Sequence, residues 1–143
     1  MNTKNLGELI YQSNFECLVY HENDGNGHLN TANYDAYTEE TRRRFLKNFD
    51  WSDKKFNKQG IAQRRKNFNG EHKYELKKGD LFNILLQIYE GDRVFFHMYF
   101  EFLKDGKTLA FQMLTKDYFV SVSNGQVKPI KIPEFFYDKI RNV

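Results

Sequence analysis

The densest run of residues able to do chemistry is His21-Glu-Asn-Asp-Gly-Asn-Gly-His28, where two carboxylates and two imidazoles sit among Asn, Asp and Gly residues that favour turns and left-handed backbone. Its spacing admits two chemistries. Counted as a calcium loop, Glu22, Asp24 and Asn26 occupy the first three ligand positions, Gly27 the glycine position and Leu29 the apolar one. The match fails at its ends, because the first ligand is ordinarily Asp and the last, which must be a bidentate Glu, is Asn33. Counted as a dinucleotide loop, Gly25-Asn-Gly27 opens a helix after a strand, but Asn30 stands where the third glycine belongs and the later strands read as antiparallel. Turn formation explains the same residues more simply than either.

The rest of the chain narrows the chemistry further. The 4 histidines lack metal-ligand spacing and no Gly-x-Ser-x-Gly occurs, which argues against zinc and serine-hydrolase chemistry, and no metal is expected. A single cysteine, Cys17, excludes an intrachain disulfide and a cysteine zinc site, and suits a reducing compartment.

These residues need a scaffold. The 143 residues are enough for one domain, 1–143, with one core. A mean hydropathy of −0.76 alone would suggest disorder, but 17% of the residues are aromatic, and each ring buries a large area. The 22 Lys and Arg against 19 Asp and Glu leave +3, too even a balance for a dedicated nucleic-acid binder yet compatible with a phosphate-bearing small ligand. The start of the chain does not read as a signal peptide, and nowhere are there the ~20 apolar residues of a membrane span, so a cytoplasmic location is expected.

Phe15 to Tyr20 reads as a short strand leading into the loop. From Thr31 to Phe49 the period becomes helical, with Tyr34, Tyr37, Thr38, Thr41, Phe45 and Phe49 along one face, Asn30 or Thr31 as cap, and acids early and bases late. Trp51 to Asn69 is polar, with a possible strand from Ile61 to Lys66. Strands are then predicted at Glu71–Leu76, Leu81–Tyr89, Arg93–Leu103 and Thr108–Ser123, with Asp105-Gly106 as a hairpin turn. Pro129 and Pro133 are expected to break the sheet before a closing helix at Glu134–Arg141. This order is α+β, an antiparallel sheet wrapped around one long central helix, which is the outline of a hotdog fold.

The stretch from Val19 to Arg42, with Asp24-Gly-Asn-Gly-His28 leading into a helix that bears Tyr34, Tyr37 and Glu39-Glu-Thr-Arg42, resembles the signature of the 4-hydroxybenzoyl-CoA thioesterase family of hotdog enzymes. Tyr74 to Asp80 and Lys131-Ile-Pro133 are similar to later family segments, so the likeness spans roughly residues 14 to 140. Two departures stand out: Glu22 replaces the first acid of a common Asp-x-Asp, and Gly25 is the small residue after Asp24.

The resemblance implies an acyl-CoA thioesterase in which Asp24 is the nucleophile or the general base for water. A carboxylate ahead of a helix N-terminus is favoured in its ionised form, and free backbone N–H groups there can bind an oxyanion. Gly27, His28, Asn30, Asn33 and Tyr34 would shape the loop, oxyanion site and acyl pocket; capping and core packing are their plainer roles. Glu39 or Glu40 could supply the helix acid used by a second group of hotdog thioesterases, although a solvated helix face also accounts for them. Glu71 and His72 are further supporting candidates. Arg64, Arg65 and Lys66 could grip CoA phosphates or simply form a solvated basic face. No cofactor is implied beyond the CoA of the substrate, and the partners implied are an acyl-CoA and further copies of the chain, as homodimer or homotetramer. The alternatives are a non-catalytic acyl-CoA binder and, more remotely, a calcium-binding loop protein.

Overall fold

The computed structural model describes residues 3–19, 29 and 31–142. In chain order the elements are β1 (Glu8–Leu18), α1 (Thr31–Asn48), α2 (Asp53–Lys58), β2 (Ile61–His72), β3 (Leu81–Glu90), β4 (Phe95–Lys104), β5 (Thr108–Ser123), β6 (Gln126–Ile130) and α3 (Glu134–Arg141). The strands form one antiparallel sheet in the order β1-β3-β4-β5-β2, with β6 paired to β5.

Alternation decides the faces of this sheet. Phe82, Ile84, Leu86 and Ile88 of β3, and Phe96, Met98, Phe100 and Phe102 of β4, are all buried on the inner face. The opposite face carries a polar ladder: Asn83 donates to Asn14 at 2.8 Å, Gln87 to Gln12 at 2.7 Å, and Tyr99 to Gln112 at 2.8 Å. That ladder explains why β1 begins at Glu8, earlier than its apolar pattern suggests. Gln12 and Asn14 look like loop residues, but they are the solvent-side half of a strand whose Tyr11 and Phe15 face inward.

The helix α1 starts and ends close to where its period places it and buries Tyr34, Thr38, Thr41, Phe45 and Leu46. The two threonine hydroxyls on this apolar stripe donate back to the carbonyls of Tyr34 and Tyr37, at 2.9 and 2.8 Å, so neither enters the core unsatisfied. At 18 residues the helix is roughly 27 Å long. The expectation of one long central helix is too simple, because Phe56 of α2 and Phe136 and Ile140 of α3 complete the same core. Trp51 joins them, stacking between Phe49 and Phe136 at 5.1 and 5.4 Å.

Three further expectations change. The polar stretch after α1 holds α2, followed by a strand that runs through Gly70 to His72, so Glu71–Leu76 is not a strand of its own. At Gly70 the backbone passes over Phe111, and a Cβ there would sit 2.9 Å from its ring. Pro129 lies within β6 rather than ending the sheet, which an edge strand paired only to β5 tolerates. The Asp105-Gly106 hairpin forms as predicted, both residues at positive φ, and Asn124-Gly125 makes the same kind of turn between β5 and β6.

Candidate active site

Asp24, Gly27, His28 and Asn30, together with most of the calcium-loop positions, lie outside the described residues. The two ends of that segment are described, and one turn holds both. Val19 donates to the carbonyl of Asp80 at 3.1 Å, Gly79 donates to the carbonyl of Val19 at 2.9 Å, and Leu29 donates to the carbonyl of Leu76 at 3.0 Å. The run Leu76–Asp80, expected only as a strand end and the turn after it, is therefore the clamp that brings the exit of β1 and the entry of α1 together. Asp80 braces it by accepting from the Lys77 backbone at 2.8 Å.

Tyr34 sits at this junction. Its ring stacks on Phe111 at 4.5 Å and meets the His72 imidazole edge-on at 5.1 Å, and its hydroxyl accepts from the backbone N–H of Leu76 at 3.4 Å. Burial pushes that hydroxyl above its ordinary range. Tyr34 and His72 are thus brought together, at the N-terminal end of α1.

Glu71 is not brought to them. Successive residues of a strand face opposite ways, so with the exposed His72 ring set against Tyr34 and Phe111 Glu71 joins the outer ladder, accepting from Gln112 at 2.7 Å and pairing with Lys73 at 3.2 Å. Gln112 first, then Lys73, hold its carboxyl below the usual range. The same alternation divides the basic triad. Arg65 faces α1 and pairs with Asp35 at 2.9 Å and Glu39 at 3.1 Å. Arg64 and Lys66 are exposed, Arg64 donating to the carbonyl of Gln63 at 3.2 Å. Glu39 also pairs with Arg42 at 3.3 Å, so it is held by two guanidinium groups.

A groove of ≈ 610 Å³ runs from Leu29 and Asn33 along α1, past Tyr37, Glu40, Arg43 and Arg44, with Cys17 and Leu18 of β1 and Leu81 opposite. Tyr37 donates to the carbonyl of Leu18 at 2.9 Å and Arg44 to that of Glu16 at 3.0 Å, tying helix to strand along its floor. Burial pushes the Cys17 thiol up to about 11, against the pull of Arg44. Sequence reasoning missed Arg43, Arg44 and Cys17 here because they come from separate elements; the helical spacing of Asn33, Tyr37, Glu40 and Arg44 was the available signal. No described helix is long and apolar enough to cross a membrane.

A family model described as the thioesterase-like superfamily matches residues 19–140. The chain belongs to that superfamily. Its fold is the hotdog fold of that group. A hypothetical protein from Aquifex aeolicus is 26% identical, with 90% of this chain and 98% of that one covered at a TM-score of 0.79. A 1,4-dihydroxy-2-naphthoyl-CoA thioesterase from Synechocystis is 17% identical, covering 90% and 95% at 0.78. A hypothetical protein from Staphylococcus aureus, solved in complex with CoA, is 22% identical, covering 99% and 87% at 0.78. Comparison with curated proteins gives no match. In this thioesterase-like chain the matched region begins at Val19, where the clamped segment starts, so the family signature and the Leu76–Asp80 clamp concern the same junction.

Proposed function

We propose that the chain hydrolyses an acyl-CoA thioester to a free acid and CoA. The observation that supports this most is the clamp on Val19 and Leu29, which holds the ends of the Asp24 segment beside the first turn of α1 and the mouth of the ≈ 610 Å³ groove. In this reading Asp24 attacks the thioester carbonyl or takes a proton from water, and CoA leaves as its thiol. Backbone N–H groups of Gly27, His28 and the first turn of α1 meet the oxyanion, where the helix dipole favours negative charge. Asn30 and Asn33 shape the loop, Tyr34 and His72 form the wall behind it, and the groove takes the acyl group. The reaction adds water and needs no cofactor.

Arg64 and Lys66 are the exposed cations of β2 and meet the phosphates of CoA in this reading, while Arg65 stays with α1. The outer edge of β2 is a further part of it: a second copy pairing there would cover an open strand edge and set these cations at a subunit junction, as a homodimer or a tetramer built from it.

The test is release of free thiol from a panel of short, long, aromatic and charged acyl-CoAs by the native protein and Asp24→Asn side by side. Turnover should fall by about 10²–10⁴ in the variant. Equal rates in the two proteins, or no turnover on any member of the panel, would overturn the Asp24 mechanism.

A further inference from the structure

The groove beside α1 changes character along its length. Leu29 and Asn33 lie at its mouth, Ala36, Leu18 and Leu81 give it apolar walls, and Arg44 stands at its far end. Asn33 and Arg44 are about 16 Å apart along the helix axis, and a helical side chain leans back toward the N-terminus, so the guanidinium sits nearer the mouth than its own Cα does.

Arg44 is a partly buried guanidinium that no described carboxylate holds. Arg42 pairs with Asp53 and Glu39, and Arg65 with Asp35 and Glu39. Arg44 instead donates through Nη1 to the Glu16 carbonyl at 3.0 Å and to Cys17 Sγ at 3.9 Å, and its Cζ lies 5.0 Å from the centre of the Phe15 ring. Its Nε and Nη2 have no hydrogen-bond partner among the described residues. Those two nitrogens form one side of the planar fork, the side a carboxylate can meet bidentately. Neither neighbour supplies the missing charge. The Cys17 thiol, pushed up to about 11 chiefly by burial, is uncharged at neutral pH. Alternation sets Glu16 with Asn14 on the outer face of the sheet, so it is the Glu16 carbonyl that meets Arg44. Against Arg43 and Arg44 the groove then sets one carboxylate, the exposed Glu40, and a positive charge is left over.

We propose that the acyl group taken by this groove carries a second carboxylate at its far end, which docks on Nε and Nη2 of Arg44. The inference rests on the thioesterase reading and names its substrate class. With the thioester carbonyl at the first turn of α1, the methylenes lie along the apolar walls and the terminal acid meets the uncompensated guanidinium. A straight chain of about eight carbons, with C–C bonds of about 1.5 Å and a hydrogen bond at its end, spans that distance. A phosphate of CoA suits the same nitrogens less well, because a polar linker would have to lie against Ala36, Leu18 and Leu81 to reach them.

The experiment compares thiol release from octanedioyl-CoA and octanoyl-CoA by the native protein and Arg44→Gln, alongside the N-acetylcysteamine thioesters of the same acids, which lack every CoA phosphate. The native protein should favour the octanedioyl thioester by about 10- to 100-fold in kcat/KM on both carriers, and Arg44→Gln should lose that preference. No preference in the native protein, or a preference kept by Arg44→Gln, would overturn the acid pocket. So would a loss that strikes both CoA thioesters and neither N-acetylcysteamine thioester, which would assign Arg44 to a CoA phosphate. Calorimetry with monomethyl octanedioate and the uncharged methyl 8-hydroxyoctanoate tests the pocket without turnover or a variant. The acid ester alone should bind, and its binding by a protein that cleaves no thioester would sink the thioesterase reading while the pocket stands. Equal binding of the two esters, or binding of neither, would overturn the pocket even in a protein that turns thioesters over.

Discussion

Gln63 and Asp117, in neighbouring strands and 54 residues apart in sequence, share a 2.7 Å hydrogen bond beneath α1 that fixes the buried Asp117 carboxyl. Through Gln63 and Arg42 the bond continues to Asp53, so the β5 carboxylate, β2, α1 and the start of α2 form one polar chain.

The first consequence concerns pH. Because the folded carboxyl of Asp117 is raised, the folded state holds its proton more tightly than the unfolded state does. The group's penalty is therefore absent below the unfolded carboxylate range, grows as pH rises through the interval between unfolded and folded values, and is constant above the folded one. Asp117→Asn should be more stable than the native protein at pH 7, by on the order of 1 kcal/mol, with the difference shrinking toward pH 3. Urea unfolding at several pH values checks this; a variant less stable at neutral pH would count against it.

Gly70 matters for packing rather than for a turn. The Cβ of Gly70→Ala would lie 2.9 Å from the Phe111 ring, which is itself wedged against Tyr34 and Phe102, so the ring cannot withdraw freely. A loss of about 1–3 kcal/mol is expected. In a Phe111→Leu background the same substitution should cost less, and a double-mutant cycle by chemical denaturation gives the coupling.

Tyr34 carries its hydroxyl into the core to meet the backbone N–H of Leu76. Tyr34→Phe keeps the ring contacts and strands that N–H, for an expected cost of about 1–3 kcal/mol. Hydrogen exchange at Leu76 and Leu29 should accelerate together, since both belong to the clamp. Unchanged protection at Leu29 would show that the clamp does not depend on Tyr34.

Glu39 is, with Glu40, one of the two helix acids that the family resemblance offers to a different hotdog mechanism. Its carboxylate is engaged by both Arg42 and Arg65 and is partly exposed, so Glu39→Gln should cost less than about 1 kcal/mol. Thiol release should continue near the native rate. A collapse of turnover to the level of Asp24→Asn would shift the chemistry onto α1.

The sequence by itself determined the periods. Aromatic residues at three- and four-residue steps marked α1, alternating apolar residues marked β3, β4 and β5, and Asp105-Gly106 marked a hairpin, because each is a local consequence of helix or strand geometry. The family signature around Asp24 was also legible, being contiguous. Tertiary structure decided what depends on distant partners. Gln12 and Asn14 became strand residues only because Gln87 and Asn83 lie across from them, and Glu71 and His72 parted because neighbouring strand residues face opposite ways. Arg65 was drawn from the basic run Arg64–Lys66 by Asp35 and Glu39 on a helix some thirty residues earlier. Asp117, an ordinary acid in a strand pattern, became a buried carboxyl bonded to Gln63 beneath α1 through contacts that no local spacing encodes.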